Sequence, residues 1–179
     1  AGLAGSQEKL RETIQALLEA PVAVCTSEAN EQHYEVDARF YGLCLGPHRK
    51  YSACLYEGAE PKWPGNKLQK DAARLLPKAE KDSLDQVASR GDITQATKAI
   101  LDCGCGWGSA SLYLADRFRN AQVVGVSNSH SQRRYIMGQA QERGLTNLQI
   151  VTLDLSKEPL TKALEAFQSR LPGQYFERG

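Results

Sequence analysis

Apolar residues recur along this chain at two periods, and the change from one to the other falls near residue 98. Before that point the spacing is helical. Leu10, Ile14, Leu17 and Leu18 share one helical face between Ser6, a suitable N-cap, and Pro21, which ends the run. This predicts an amphipathic helix whose apolar face packs on its own domain. A membrane-surface or partner-binding helix is the alternative, although Glu8, Glu12 and Glu19 stand there against only Lys9 and Arg11. Residues 33–46 have helix-like aromatic and apolar spacing after a polar start, until Pro47 breaks it. Residues 51–56 read as a loop, with Tyr51, Ser52 and Tyr56 either offering hydroxyls to a ligand or simply packing. Pro61, Pro64 and Gly65 mark a further loop, and residues 67–76 and 83–88 then read as two helices separated by Pro77 and a solvated charged turn over 78–82.

Beyond residue 98 short apolar runs alternate with helical spacing. Residues 99–101 read as a strand, 109–115 as a helix, 122–127 as a strand, 132–143 as a helix stopped by Gly144, and 148–154 as a third strand. Strand, helix, strand, helix, strand specifies an α/β fold with a parallel sheet and right-handed crossovers. Ligands of such sheets bind at the carboxyl ends of the strands. The chain shows no internal repeat and no low-complexity tract.

Composition narrows the partner. Twenty-two Lys and Arg against 21 Asp and Glu leave a formal charge of +1, which gives no broad electrostatic case for nucleic acid or an anionic membrane. A small molecule is the expected partner. No apolar run approaches the roughly 20 residues of a membrane span, and the first residues lack the basic-then-apolar order of a signal peptide, so a soluble cytoplasmic protein without a stable membrane anchor is expected. The five cysteines are odd in number and scattered, which argues against a disulfide framework and for packing roles. Cys103 and Cys105 lack partners at zinc-like spacing and the three histidines are dispersed, so no metal site is expected.

The chemistry concentrates in Asp102-Cys103-Gly104-Cys105-Gly106-Trp107-Gly108. Gly104, Gly106 and Gly108 allow a sharp turn against which a ligand lies on bare backbone, with a helix N-terminus close behind. A dinucleotide site asks for Gly-x-Gly-x-x-Gly and for an acid after the second strand, where Ser109 and then Ser127 and Asn128 stand instead. No Gly-Lys-Ser/Thr follows, which excludes a Walker-type loop. S-adenosylmethionine fits better: Asp102 can hold its amino group, the glycines can accommodate the sulfonium and ribose, and Asp154 after the third strand can accept from the adenine amino group. The competing reading is structural, with Asp102 and Asp154 capping helices and Ser127, Asn128 and Ser129 forming a helix-capping cluster.

Four motifs in order resemble the S-adenosylmethionine-dependent methyltransferases of the coclaurine N-methyltransferase and cyclopropane-fatty-acid synthase type. They are His33-Tyr34-Glu35-Val36 with Phe40-Tyr41; Tyr51-Ser52 with Cys54 and Tyr56; Leu101 through Gly108; and Val126-Ser127-Asn128-Ser129 with Gln132. The resemblance implies a Rossmann-like class I methyltransferase sheet with an N-terminal helical cap. It implies that Tyr51 and Ser52 close over the methionine end of the cofactor, that Gly104 and its neighbours Gly106, Trp107 and Gly108 line it, that Asn128 and Gln132, in the turn with Ser127 and Ser129, hold the ribose, and that Asp154 and Leu155 flank the adenine. The wording of the glycine turn and of Val126 to Ser129 is nearer the N-methyltransferase branch. Where lipid-cyclopropanating members carry a Cys, this chain has Ala53, with Cys54 one place on.

The expected organisation is an N-terminal helix and loop over 1–32, a helical cap over the cofactor at 33–97, and the first half of a Rossmann-like domain over 98–179. Family members continue beyond this point into a Glu-containing segment and a substrate lid, so the chain reads as the cofactor-binding portion of such an enzyme, truncated or naturally short, and no catalytic base is assigned. The leading expectation is methyl transfer to an amine-type small molecule. The alternatives are fatty-acid or phospholipid methylation or cyclopropanation, and a catalytically silent S-adenosylmethionine-binding or interaction module.

Overall fold

The computed structural model describes residues 3–20, 37–56, 67–155, 157 and 160–169. Its centre is a parallel sheet of β1 (Ala99–Cys103), β2 (Gln122–Ser127) and β3 (Leu148–Thr152), in the order β1-β2-β3. The valines of β2 are buried on both faces, as a strand covered on both sides requires. The register sets Ile100 beside Val123 and Val123 beside Leu148, and two residues on sets Asp102 beside Gly125 and Gly125 beside Ile150. Because side chains alternate along a strand, these residues share one face. That face is the main core, shared with Ala88, Leu112, Phe118 and Ile136 from the helices and loops packed on it. Val126, Leu153, Leu101 and Val151 form a second apolar cluster.

Two crossover helices follow the expected pattern. These are α4 (Ser109–Arg117) and α5 (His130–Glu142), the latter capped by Ser129, whose side chain accepts from the Gln132 N–H. Gly144, at φ +62°, turns the chain out of α5. Asn147 then ties the start of β3 back to α4, its buried amide donating to the carbonyls of Ala115 (3.0 Å), Phe118 (3.3 Å) and Ala121 (2.9 Å). The last described helix, α6 (Leu160–Gln168), buries Phe167.

The N-terminal half departs from the sequence reading in three places. Residues 67–76 and 83–88 are not two helices: α3 (Lys67–Arg90) is continuous and carries Pro77 inside it. Proline removes one helical hydrogen bond, but directly after it Ala79, Glu80, Ser83, Leu84 and Ala88 form one buried stripe that holds the helix in place. Of the charged residues of the supposed turn, Glu80 is fully buried, while Lys78, Lys81 and Asp82 form i,i+4 ion pairs, Lys78 with Asp82 and Lys81 with Asp85. Secondly, α1 (Leu3–Glu19) starts before Ser6, and its apolar face is uncovered among the described residues, with Leu17 68% and Leu18 75% exposed. Thirdly, the helix expected over 33–46 is the shorter α2 (Ala38–Cys44), capped by Asp37; residues 33–36 lie outside the described residues. The cysteines divide as well. Cys105 is buried, with its thiol pushed up to about 12 chiefly by that burial, whereas Cys44 and Cys103 are exposed and do not pack. No helix of the described residues is long and apolar enough to cross a membrane.

Two glycines give opposite predictions. At Gly108 φ is +80° and an added Cβ would lie 2.6 Å from Ile136 Cγ1, so Gly108→Ala should cost about 2–4 kcal/mol in urea unfolding, combining left-handed strain with overpacking. Gly138 sits exposed inside α5 with nothing within 4 Å of such a Cβ, and Gly138→Ala should stabilise by about 0.5–1 kcal/mol in the same measurement.

Candidate cofactor site

The glycine-rich turn crosses the end of β2. The N–H groups of Gly104 and Cys105 both donate to the Val126 carbonyl, at 3.0 and 2.9 Å. The three glycines do different jobs. All have positive φ, but an added Cβ at Gly104 or Gly106 would meet nothing within 4 Å, whereas Gly108 abuts Ile136. Two glycines therefore present bare backbone to open space and the third lets α5 close against the turn. The amino end of α4 begins directly behind at Ser109, and helix amino ends favour an anionic group.

Asp102, at the end of β1, is mostly buried and accepts a hydrogen bond from Ser111 Oγ at 2.6 Å. Ser111 is fully buried on α4. It reaches Asp102 because Gly125 has no side chain: a Cβ there would fall 2.8 Å from Ser111 Oγ and 2.6 Å from Ile150 Cδ1. Burial raises the Asp102 pKa, and the Ser111 hydrogen bonds offset only part of that rise. Gly108 is the N-cap residue of α4, and Asp102 caps the first turn from outside it through the hydroxyl and backbone of Ser111, so the capping description also accounts for this carboxylate.

An aromatic seam joins the Tyr51 loop to the turn. The Tyr41 ring lies 5.4 Å from that of Tyr51 and 4.8 Å from that of Trp107, and Trp107 in turn meets Tyr135 of α5 at 5.6 Å. The Arg49 guanidinium stacks 4.3 Å over the Tyr135 ring, a favourable cation–π arrangement. Tyr51 itself is 59% exposed. Ser52 is exposed and accepts from Lys50 Nζ at 2.6 Å, while the same ammonium donates to the Ala53 carbonyl.

After β2, Ser127, Ser129 and Gln132 are buried and bonded to one another. Ser127 Oγ donates to Gln132 Oε1 at 2.7 Å, the Ser129 N–H donates to Ser127 Oγ at 3.0 Å, and the Gln132 N–H donates to Ser129 Oγ at 3.3 Å. The capping description accounts for these three side chains as drawn, and half-buried Asn128 is the member of the turn nearer solvent. After β3, Asp154 and Leu155 are half-buried, with Asp154 3.3 Å from Lys157 Nζ. Ser111, Arg49 and Tyr135 were not singled out from the sequence, and Tyr41 only as part of the Phe40-Tyr41 motif. Only Gly125, interrupting the valines of β2, hinted that α4 comes close there. Among the described residues no group of His, Cys, Asp and Glu has a metal-binding arrangement.

A parallel sheet with a glycine-rich turn across the carboxyl ends of its strands defines a Rossmann-like cofactor domain. The family model for mycolic acid cyclopropane synthetase matches residues 24–161. The chain therefore belongs to this family of S-adenosylmethionine-dependent methyltransferases. It is 30% identical over 128 residues to (S)-tetrahydroprotoberberine N-methyltransferase of Eschscholzia californica, covering 72% of this chain and 33% of that protein. It is 31% identical over 122 residues to a probable fatty acid methyltransferase of Mycobacterium tuberculosis, covering 68% of this chain and 25% of that protein. The crystal structure of coclaurine N-methyltransferase bound to N-methylheliamine and S-adenosylhomocysteine superposes with a TM-score of 0.74 at 25% identity, covering 88% of this chain and 41% of that one. The chain thus spans about a third of the length of the first curated relative.

The raised Asp102 pKa fixes the sign of a stability effect. The folded state holds the Asp102 proton to higher pH than the unfolded chain, whose value is the ordinary 3.8. That favourable contribution is complete below the unfolded value and is lost as pH rises through the folded one, so at pH 7 the buried charge opposes folding. Asp102→Asn keeps an oxygen for Ser111 and removes the charge. The ligand-free variant should melt above the wild type at pH 7, and the difference should shrink on acidification toward pH 4 in parallel thermal melts.

Proposed function

We propose that this chain carries the cofactor-binding portion of a methyltransferase that transfers the methyl group of S-adenosylmethionine to an amine-type small molecule. The observation that carries the cofactor is the open backbone face at Gly104 and Gly106, with a mostly buried carboxylate at its entrance. The group, when bound, supplies an electrophilic methyl on a sulfonium. Asp102 offers its carboxylate to the cationic amino group, the amino end of α4 faces the carboxylate of the same amino acid portion, and Tyr51 and Ser52 cover that portion. Asn128, with Ser127, Ser129 and Gln132 shaping its turn, offers the ribose site. Asp154 and Leu155 flank the base. Such residues work by holding one reactant in line and keeping water from it.

The amine reading is supported by the likeness to N-methyltransferases and by Ala53 standing where lipid-cyclopropanating relatives have Cys. The free thiols of Cys44, Cys54, Cys103 and Cys105 support a reducing, cytoplasmic setting. Calorimetric titration of the chain with S-adenosylmethionine is the first test, and heat-silent mixing with folded protein rejects the cofactor. Asp102→Asn should weaken the binding about 10- to 100-fold, as loss of a charge-assisted contact does, while Asp116→Asn, on the outer surface of α4, should leave it unchanged. Methyl-transfer assays with an amine panel and with phospholipid vesicles then separate the acceptors. Turnover on lipid alone rejects the amine reading, and binding without turnover on either favours a silent module.

A further inference from the structure

The loop that carries Tyr51 and Ser52 is wrapped round a buried carboxylate. Glu80, in the middle of α3, is 0% exposed. Its oxygens accept the backbone N–H groups of His48 (2.9 Å, to Oε2) and Lys50 (3.1 Å, to Oε1). Between these donors Arg49 has φ +49°, so the two N–H groups converge on one anion as they do in backbone nests that hold phosphates and carboxylates. Gly46 makes room for the same group, because a Cβ there would approach the Glu80 carboxyl atoms to under 3.0 Å. Nearly one turn along α3, Ser83 Oγ accepts the N–H of Leu55 at 2.6 Å. The segment is therefore pinned to α3 on both sides of Tyr51 and Ser52.

The two residues also make contacts of their own: the Tyr51 ring lies 5.4 Å from that of Tyr41, and Ser52 accepts from Lys50 Nζ. Both are nevertheless exposed, Tyr51 by 59%, and the backbone on either side of them is held by α3. A carboxylate withdrawn from water is costly unless its hydrogen bonds are made, and an apolar side chain would fill the space without fixing the turn. We propose that Glu80 is a positioning residue that holds Tyr51 and Ser52 over the Gly104–Gly106 backbone and thereby sets affinity for the amino acid end of the cofactor. This rests on the cofactor reading above.

The test uses the 179-residue chain and two ligands, S-adenosylmethionine and 5′-methylthioadenosine, which lacks the amino acid end. Glu80→Ala should weaken S-adenosylmethionine about 10- to 100-fold and methylthioadenosine less than about threefold, the cost of two orphaned donors falling on one end of the ligand. Glu80→Gln, which keeps one carbonyl acceptor, should recover part of the lost affinity. In amide NMR spectra the His48 and Lys50 protons, shifted downfield by their charge-assisted bonds, should move upfield in Glu80→Ala. Asn147→Ala is the control for simple destabilisation: it should lower the melting temperature and leave both affinities unchanged. Equal weakening of the two ligands by Glu80→Ala, or unchanged S-adenosylmethionine affinity alongside moved amide resonances, overturns the proposal. A folded wild type that binds neither ligand overturns the cofactor reading and this proposal with it, and the amide resonances tell that case from a loop that Glu80 never held.

Discussion

Everything at the carboxyl end of the sheet depends on α4 lying close against β2. Gly125 sits among buried valines, and the space its side chain would take is filled by Ile150 and Ser111. Any larger residue pushes α4 outward at a cost of about 1–3 kcal/mol and separates Ser111 from Asp102. The same logic acts one layer up, where Gly108 admits Ile136 of α5. Two close approaches thus fix the turn from behind, which is why Gly104 and Gly106 can face open space without the turn collapsing. Their bareness is useful only because the other two glycines are crowded.

Two buried carboxylates flank this arrangement, and they are treated differently. Glu80 receives a pair of backbone N–H groups, which are fixed dipoles that need no mobile side chain. Asp102 receives the hydroxyl and the backbone bond of Ser111 and still keeps a pKa raised by burial. The first is a finished structural contact. The second is a charge left costly in the free protein, and a cationic partner relieves that cost on binding. The neighbouring His48 adds no competing cation, because burial lowers its pKa and keeps it neutral near pH 7 despite the opposing pull of Glu80.

Local chemistry made the second half of the chain legible. The valine run of β2, the glycine turn and the Ser129 cap each announce themselves within a few residues, and the strand and helix positions followed from them. The first half depends on contacts distant in sequence. Pro77 and the charges around it look like a break, and only the burial of Glu80, reaching back about thirty residues to His48 and Lys50, shows why the helix runs through. Ser127 and Ser129 carried two readings that no sequence argument separates, since a ribose contact and an N-cap ask for the same hydroxyls. Leu10, Ile14, Leu17 and Leu18 gave a clear amphipathic period, but a period names a face and not what covers it.

The aromatic seam turns these separate pieces into one coupled site. Tyr41 touches Tyr51 on the loop and Trp107 on the turn, while Trp107 touches Tyr135, over which Arg49 of the same loop is stacked. The loop therefore meets the turn along two routes. Aromatic pairs contribute about 0.5–1.5 kcal/mol each beyond their buried area, so displacing Tyr51 and Arg49 together disturbs contacts worth about tenfold or more in a binding constant. Trp107 directly follows Gly106, so movement of the loop reaches the bare backbone of the glycine turn through a single residue. The position of the loop and that of the glycine turn are consequently linked through packed aromatic rings.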